Sequence, residues 1–250
     1  MDRRPSGTVC GVQAITRVES ISGWMEPGDA EKLYELALAT RGPILEVGTY
    51  HGKSAVLMAR AVKDAGSAAL LYTLEVDKAA IRAARTHAEA HQVADVIVFV
   101  RGTLNAFARA NPRFRPMLTF IDGDHRRAGV EADLAVLARL VPSGGVLLFH
   151  DFTDPLNDDP QCEEIKVRPA IEASWVAREC DFGGVFGCSG LFTRRTDPAT
   201  TDVAMADLLP LDSPKDQYLH RLRYPAGRVW KGLRGAKPRV PARTGSVRPK

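Results

Sequence analysis

Two short strings carry the side chains best suited to chemistry: Asp122 and His125 in TFIDGDH (119–125), and His150 and Asp151 in GVLLFHDF (145–152). A carboxylate beside an imidazole can orient it as a proton acceptor, and acids with histidines can also hold a cation. Taken singly, each pair has a plainer use. Asp124 and His125 could cap the helix that follows, and His150 could be a strand-end histidine with satisfied hydrogen bonds. Taken together, the pairs sit at the carboxyl ends of two apolar runs that read as adjacent central strands. Ligands of open α/β sheets bind at that edge.

A third string, Glu46-Val47-Gly48-Thr49-Tyr50-His51-Gly52-Lys53-Ser54, ends an apolar run and opens a helical pattern. Glycines there let the backbone turn sharply and approach a ligand, while the helix start offers unpaired N–H groups. A dinucleotide fingerprint needs GxGxxG, and this loop has a single GxxxG. A nucleotide P-loop needs GxxxxGK[ST]; the loop is one residue short, with Val47 where the first glycine belongs. The remaining class binds S-adenosylmethionine, with Gly48, Thr49, Tyr50 and Gly52 forming the loop. In that reading Glu46 pairs with the cofactor's ammonium, directly or through water, and Ser54 holds its carboxylate. An ordinary tight turn with Lys53 exposed is the alternative.

Further along, Glu75 in TLEVD (73–77) stands where a Rossmann-like fold hydrogen-bonds a ribose diol. Asp77 reads instead as the N-cap of KAAIRAAR. Gly102, Thr103 and Leu104 follow the third apolar run and are expected near an adenine ring, although an N-cap at Thr103 explains them equally well.

These residues need a frame. Apolar runs at 44–48, 69–76, 96–100, 117–122 and 145–152 alternate with segments of helical period, which calls for a parallel sheet covered on both faces. A helix is expected at 26–40, with Pro27 in its first turn, and another at 162–180. FGGVFGCSGLFTRR (182–195) reads as two short strands around Gly190. The expected fold is α/β and Rossmann-like, in its methyltransferase version: a mostly parallel seven-stranded sheet with helices on both faces and an antiparallel final strand. The segments are an irregular stretch 1–25, a domain 26–211 and a tail 212–250.

Charge divides the chain. Residues 215–250 carry +10 and residues 1–214 carry −6, within a total of +4. The tail reads as disordered and solubilising. An acidic body lacks the basic face that nucleic acid requires, so no specific nucleic-acid partner is expected. Tyr224, Val229, Trp230 and Leu233 are available for a short docked turn or a subunit contact, so a homodimer is one assembly the sequence allows. Cys10, Cys162, Cys180 and Cys188 form no CxxC pair and read as ordinary thiols. With no apolar signal region and no membrane-length run, a cytoplasmic protein without a membrane partner is expected.

ILEVGTYHGKSAVLMAR closely resembles the matching stretch of catechol O-methyltransferases, and TFIDGDH is similar to FVDADK of the caffeoyl-CoA type. FIDGDHRRAGVEADL with LVPSGGVLLFHDF also resembles sugar O-methyltransferases that act on macrolide sugars, and the closest role suggested is 1-O-methylation of a methylmannose polysaccharide precursor. The resemblance spans residues 24 to 195. It implies methyl transfer to a hydroxyl of a small molecule, with a sugar or oligosaccharide expected over a catechol-like phenol; a nucleotide-binding NTPase module is the rival from another class. It further implies Asp122, His150 and Asp151 as ligands of a divalent metal and His125 as general base. The relatives carry Asp or Glu where this chain has His150. Mg²⁺ prefers oxygen donors, so either Asp122, Asp151 and water hold it, a softer Mn²⁺ replaces it, or no metal binds. Asp and Asn in the loop 153–160 suit the hydroxyls of a sugar, with a solvated turn as the alternative use.

Overall fold

The computed structural model describes residues 7–196. Two helices, α1 (Gly7–Val18) and α2 (Pro27–Ala39), precede a regular alternation: β1 (Ile44–Val47), α3 (Lys53–Asp64), β2 (Leu71–Glu75), α4 (Lys78–Ala90), β3 (Ile97–Arg101), α5 (Leu104–Ala110), β4 (Leu118–Ile121), α6 (Arg127–Leu140) and β5 (Val146–Phe149). Two short helices, α7 (Val167–Glu172) and α8 (Trp175–Glu179), lead into β6 (Cys180–Phe186) and β7 (Ser189–Arg194). The sheet has seven strands in the order β3-β2-β1-β4-β5-β7-β6. The first five run parallel, and β7 is antiparallel to both β5 and β6. This is the Rossmann-like arrangement expected from the sequence.

Strand side chains alternate between two cores, which is why these runs are apolar throughout. Ile44, Phe120 and Leu148 pack with α1–α3 on one face. Leu45, Ile121 and Leu147 pack with α5–α8 on the other. Register then aligns the chemistry. Val47 lies opposite both Leu74 and Ile121, and Ile121 opposite Phe149. The residues that follow, Glu75, Gly48, Asp122 and His150, therefore emerge side by side along one edge.

Three expectations are corrected. Residues 1–25 are not wholly irregular, because α1 runs through them. Among its described positions Gly11, Ala14 and Val18 are buried, with Ile21 beyond. These positions share a helical face but are mostly small, so the helix is held mainly by its partners α2 and α3. The helix expected at 162–180 is two, broken where the Ser174 hydroxyl accepts from Val176 N (3.1 Å) and caps α8. The final hairpin turns at Gly187 and Cys188; Gly190 lies within β7, where a side chain would press into the Phe152 ring. The boundary at 211 and the tail 212–250, with Tyr224, Val229, Trp230 and Leu233, lie outside the described residues. Among the described residues no helix is long and apolar enough to cross a membrane.

Candidate active site

Above the carboxyl ends of β1, β2 and β4 opens a cavity of about 880 Å³. Its floor is the loop after β1. Gly48 has φ +96°, and any side chain there would collide with the Asp122 carbonyl oxygen. Only glycine lets the two strand ends close in this way. Thr49, Tyr50, Lys53 and Ser54 line the same wall, and Glu75, Val76, Gly102, Thr103 and Leu104 continue it. The Glu75 carboxylate accepts from the backbone N–H groups of Tyr50 (2.9 Å), Val76 (2.8 Å) and Asp77 (2.9 Å). Asp77 caps α4, as its position suggested. Thr103 both lines the cavity and caps α5, so its two readings coexist.

Glu46 and Gly52 stand elsewhere than expected. The Glu46 carboxylate is fully buried behind the loop, accepting from Ser54 Oγ (2.5 Å) and from Thr73 Oγ1, and it does not line the cavity. It braces the cradle, and the Ser54 hydroxyl proton serves it. Gly52 faces α4, where a side chain would strike Ala84. Burial, only partly offset by Ser54 and Thr73, lifts Glu46 from 4.5 to about 8. The unfolded chain therefore ionises first, and stability falls as pH climbs from about 4.5 to about 8. Glu46→Gln is expected to flatten that slope, so melting temperatures of variant and wild type should diverge from pH 5 to pH 8. Parallel curves would contradict it.

The second wall is an acid–imidazole network. His125 Nε2 stands 3.1 Å from Asp122 Oδ1, and its Nδ1 stands 2.7 Å from Asp151 Oδ2. Burial disfavours a charged His125, but the two carboxylates outweigh it and raise the ring to about 9. His150, fully buried, places Nδ1 3.0 Å from Asp122 Oδ1 and 3.3 Å from Asp151 Oδ1. Neither approach is aligned as a hydrogen bond. Its Nε2 faces Cys188 Sγ (3.4 Å) and Asp29 Oδ2 (3.7 Å). Burial opposes charge on His150 too, yet Asp122, Cys188 and Asp151 raise it well above its ordinary value. Asp151 adopts φ +56°, a strained conformation for a residue other than glycine. Asp122 and His125 line the cavity, whereas His150 and Asp151 lie behind them.

A family model described as "Methyltransferase domain" matches residues 45–152, the stretch holding the glycine cradle and both acid–imidazole pairs. Over those residues the chain is similar to that family. Its fold is shared with solved structures of low identity. A cofactor-bound protein from MTB, Rv0187, is 20% identical with a TM-score of 0.59, over 77% of this chain and 91% of its own. The O-methyltransferase from Bacillus cereus in complex with SAH is 17% identical with a TM-score of 0.58, over 78% and 93%. The O-methyltransferase TomG from Streptomyces achromogenes, involved in tomaymycin synthesis and bound to SAM, is 17% identical with a TM-score of 0.54, over 79% and 91%. No curated protein matches the chain.

The metal set implied by the resemblance does not assemble. Of Asp122, His150 and Asp151, only Asp122 reaches the cavity, and His125 already pairs with both carboxylates. Among the described residues, the donor atoms gathered within 4.8 Å of one another belong instead to Asp29, His150 and Cys188. That buried trio has its own use. Asp29 accepts from Glu26 N (2.8 Å), Cys188 N (3.0 Å), Ser189 N (3.0 Å) and Ser189 Oγ (2.7 Å), pinning α2 to the β6–β7 turn.

The loop 153–160 also differs from expectation. Asp154 accepts from Leu156 N, and the Asn157 amide donates to the carbonyls of Asp151, Phe152 and Asp154. No residue of the loop lines the cavity. Sequence reasoning passed over Asp29, Asp133 and Val76. Trp24 and Met25, which also line the cavity, are held there partly by Lys53 Nζ donating to the Gly23 carbonyl (3.4 Å).

Proposed function

We propose that the chain transfers a methyl group from S-adenosylmethionine to a hydroxyl oxygen of a small molecule, with His125 as the general base. The observation that carries this reading is the Gly48 cradle opening into the same cavity as the paired Asp122 and His125. The cavity is large enough for a nucleoside and a ring, and a side chain at 48 would close it. The cofactor supplies a methyl on a sulfonium, whose leaving group is already good, so the protein's task is alignment and proton removal. Glu75 offers its carboxylate to the ribose hydroxyls, and the N–H groups at the start of α3 offer a site for the cofactor's carboxylate. Both His125 ring nitrogens face carboxylates, Nδ1 that of Asp151 and Nε2 that of Asp122, so Nε2 must leave Asp122 to meet an acceptor in the cavity. His125 then takes the acceptor's hydroxyl proton. No step is assigned to a divalent ion, because His125 already pairs with both carboxylates that would hold it.

The acceptor is read as a sugar or oligosaccharide from the resemblance to sugar O-methyltransferases. Trp24 can stack on a sugar face as well as on an aromatic one. A catechol-like phenol is the second reading, favoured by Trp24 and Met25 in the cavity wall. Incubating the full chain with methyl-labelled cofactor and two acceptors, a mannose oligosaccharide and catechol, each with and without EDTA, tests both points. Labelling of either acceptor, unchanged by EDTA, is the expected result. Loss of labelling in EDTA, restored by Mg²⁺ or Mn²⁺, would contradict the metal-free arrangement.

A further inference from the structure

Most charged or hydroxyl-bearing side chains of the cavity wall already have a partner within the chain. Ser54 serves Glu46, Thr49 meets Thr73, Glu75 accepts three backbone N–H groups, Asp122 faces His125, Asp124 pairs with Arg126, and Lys53 reaches Gly23. Among the charged side chains of that wall, Asp133 is the exception. It lies on α6, two turns in, and lines the cavity with no hydrogen-bond or ion-pair partner among the described residues. A carboxylate left half-buried without a donor is costly, so a donor from outside the chain is the simplest reason for it to stand there. Burial, with Asp124 nearby, lifts it to about 6.

Location narrows the donor. An added side-chain carbon on Gly123, just after β4, would lie 3.8 Å from Asp133 Oδ2, so the carboxylate sits against the strand end beside the Gly48 cradle. On that face Leu104, Val130 and Leu134 belong to one core cluster, which brings α6 up to the start of α5. Val76 and Leu104 are apolar members of the wall, and Val76 is 61% exposed. The exposed Val76 side chain suits one face of a purine. With Glu75 given to the ribose, and Asp122 and His125 to the acceptor hydroxyl, the remaining donor on the cofactor's nucleoside is the exocyclic amine of its base.

We propose that Asp133 is a specificity-determining residue that accepts a hydrogen bond from the adenine amine of the bound cofactor. This rests on the cofactor reading above, and the test separates the two. S-adenosylhomocysteine and its 6-deamino analogue, in which hydrogen replaces the amine, are titrated calorimetrically into the full-length wild type, Asp133→Ala and Asp133→Asn. Wild type is expected to prefer the amine by about tenfold to a hundredfold, the worth of a hydrogen bond to a charged group. Asp133→Ala should weaken the amine-bearing ligand by that factor, leave the deamino analogue within about twofold, and so erase the preference. Asp133→Asn, which keeps an acceptor oxygen, should recover part of it. Equal loss for both ligands, or no loss for either, overturns the role of Asp133 while cofactor binding stands. If wild type binds neither ligand, the cofactor reading falls and this proposal with it.

Discussion

Replacing His125 with alanine is expected to slow methyl transfer by about 10²–10⁴-fold, the usual worth of a positioned proton acceptor. Affinity for S-adenosylhomocysteine should change by less than about twofold, since the product carries no group for His125 to deprotonate. The split matters because His125 also ties Asp122 to Asp151 across the sheet edge. A purely structural role would lower affinity and turnover together. The pH profile gives a second signature. A base must be neutral to act, and Asp122 and Asp151 hold the ring near 9 against the effect of burial. In wild type kcat/KM should therefore rise with pH and level off only above about 9, and His125→Ala should lack that limb. A profile flat from pH 7 to pH 10 would assign the proton to another group.

The second large effect is on stability. Asp29→Ala removes one acceptor from four donors at once: the backbone N–H groups of Glu26, Cys188 and Ser189, and the Ser189 hydroxyl. The carboxylate it removes is fully buried, so no water stands ready to replace it. At roughly 1–3 kcal/mol for each buried group left unmade, with several affected together, a loss of about 3–6 kcal/mol is expected. That is a large share of the roughly 5–15 kcal/mol that holds a domain together. Urea unfolding should show it as a lower midpoint with an unchanged slope. Asp29→Asn keeps one acceptor oxygen and should lose less. A loss under about 1 kcal/mol for Asp29→Ala would mean that the turn at Gly187 and Cys188 is held by its hairpin alone.

The strands and the edge they share were legible because parallel strands buried on both faces are apolar from end to end, and because helix periods separate them. Asp122 and His125 were legible for the same reason, as polar residues closing such runs. What sequence could not reveal was which way a side chain turns at a strand end. Glu46 was read as facing the cofactor. Thr73 on the neighbouring strand and Ser54 on the next helix draw it backwards instead, a choice that depends on register across three elements. His150 and Asp151 likewise turn behind the site, into a polar pocket completed by Asp29, which is separated from Ser189 by most of the domain. No local pattern signals a contact of that span. The loop 153–160 was polar for a different reason from the one its composition suggested: Asn157 and Asp154 hold the chain's own backbone.

Calorimetric titration of S-adenosylhomocysteine into the purified full chain tests most directly whether the cavity over Gly48 receives a sulfonium nucleoside. Saturable binding of one ligand per chain, unchanged in EDTA, is the predicted result. No detectable binding at ligand concentrations up to about 1 mM, where even a site worth only about 4 kcal/mol would be half filled, would contradict it.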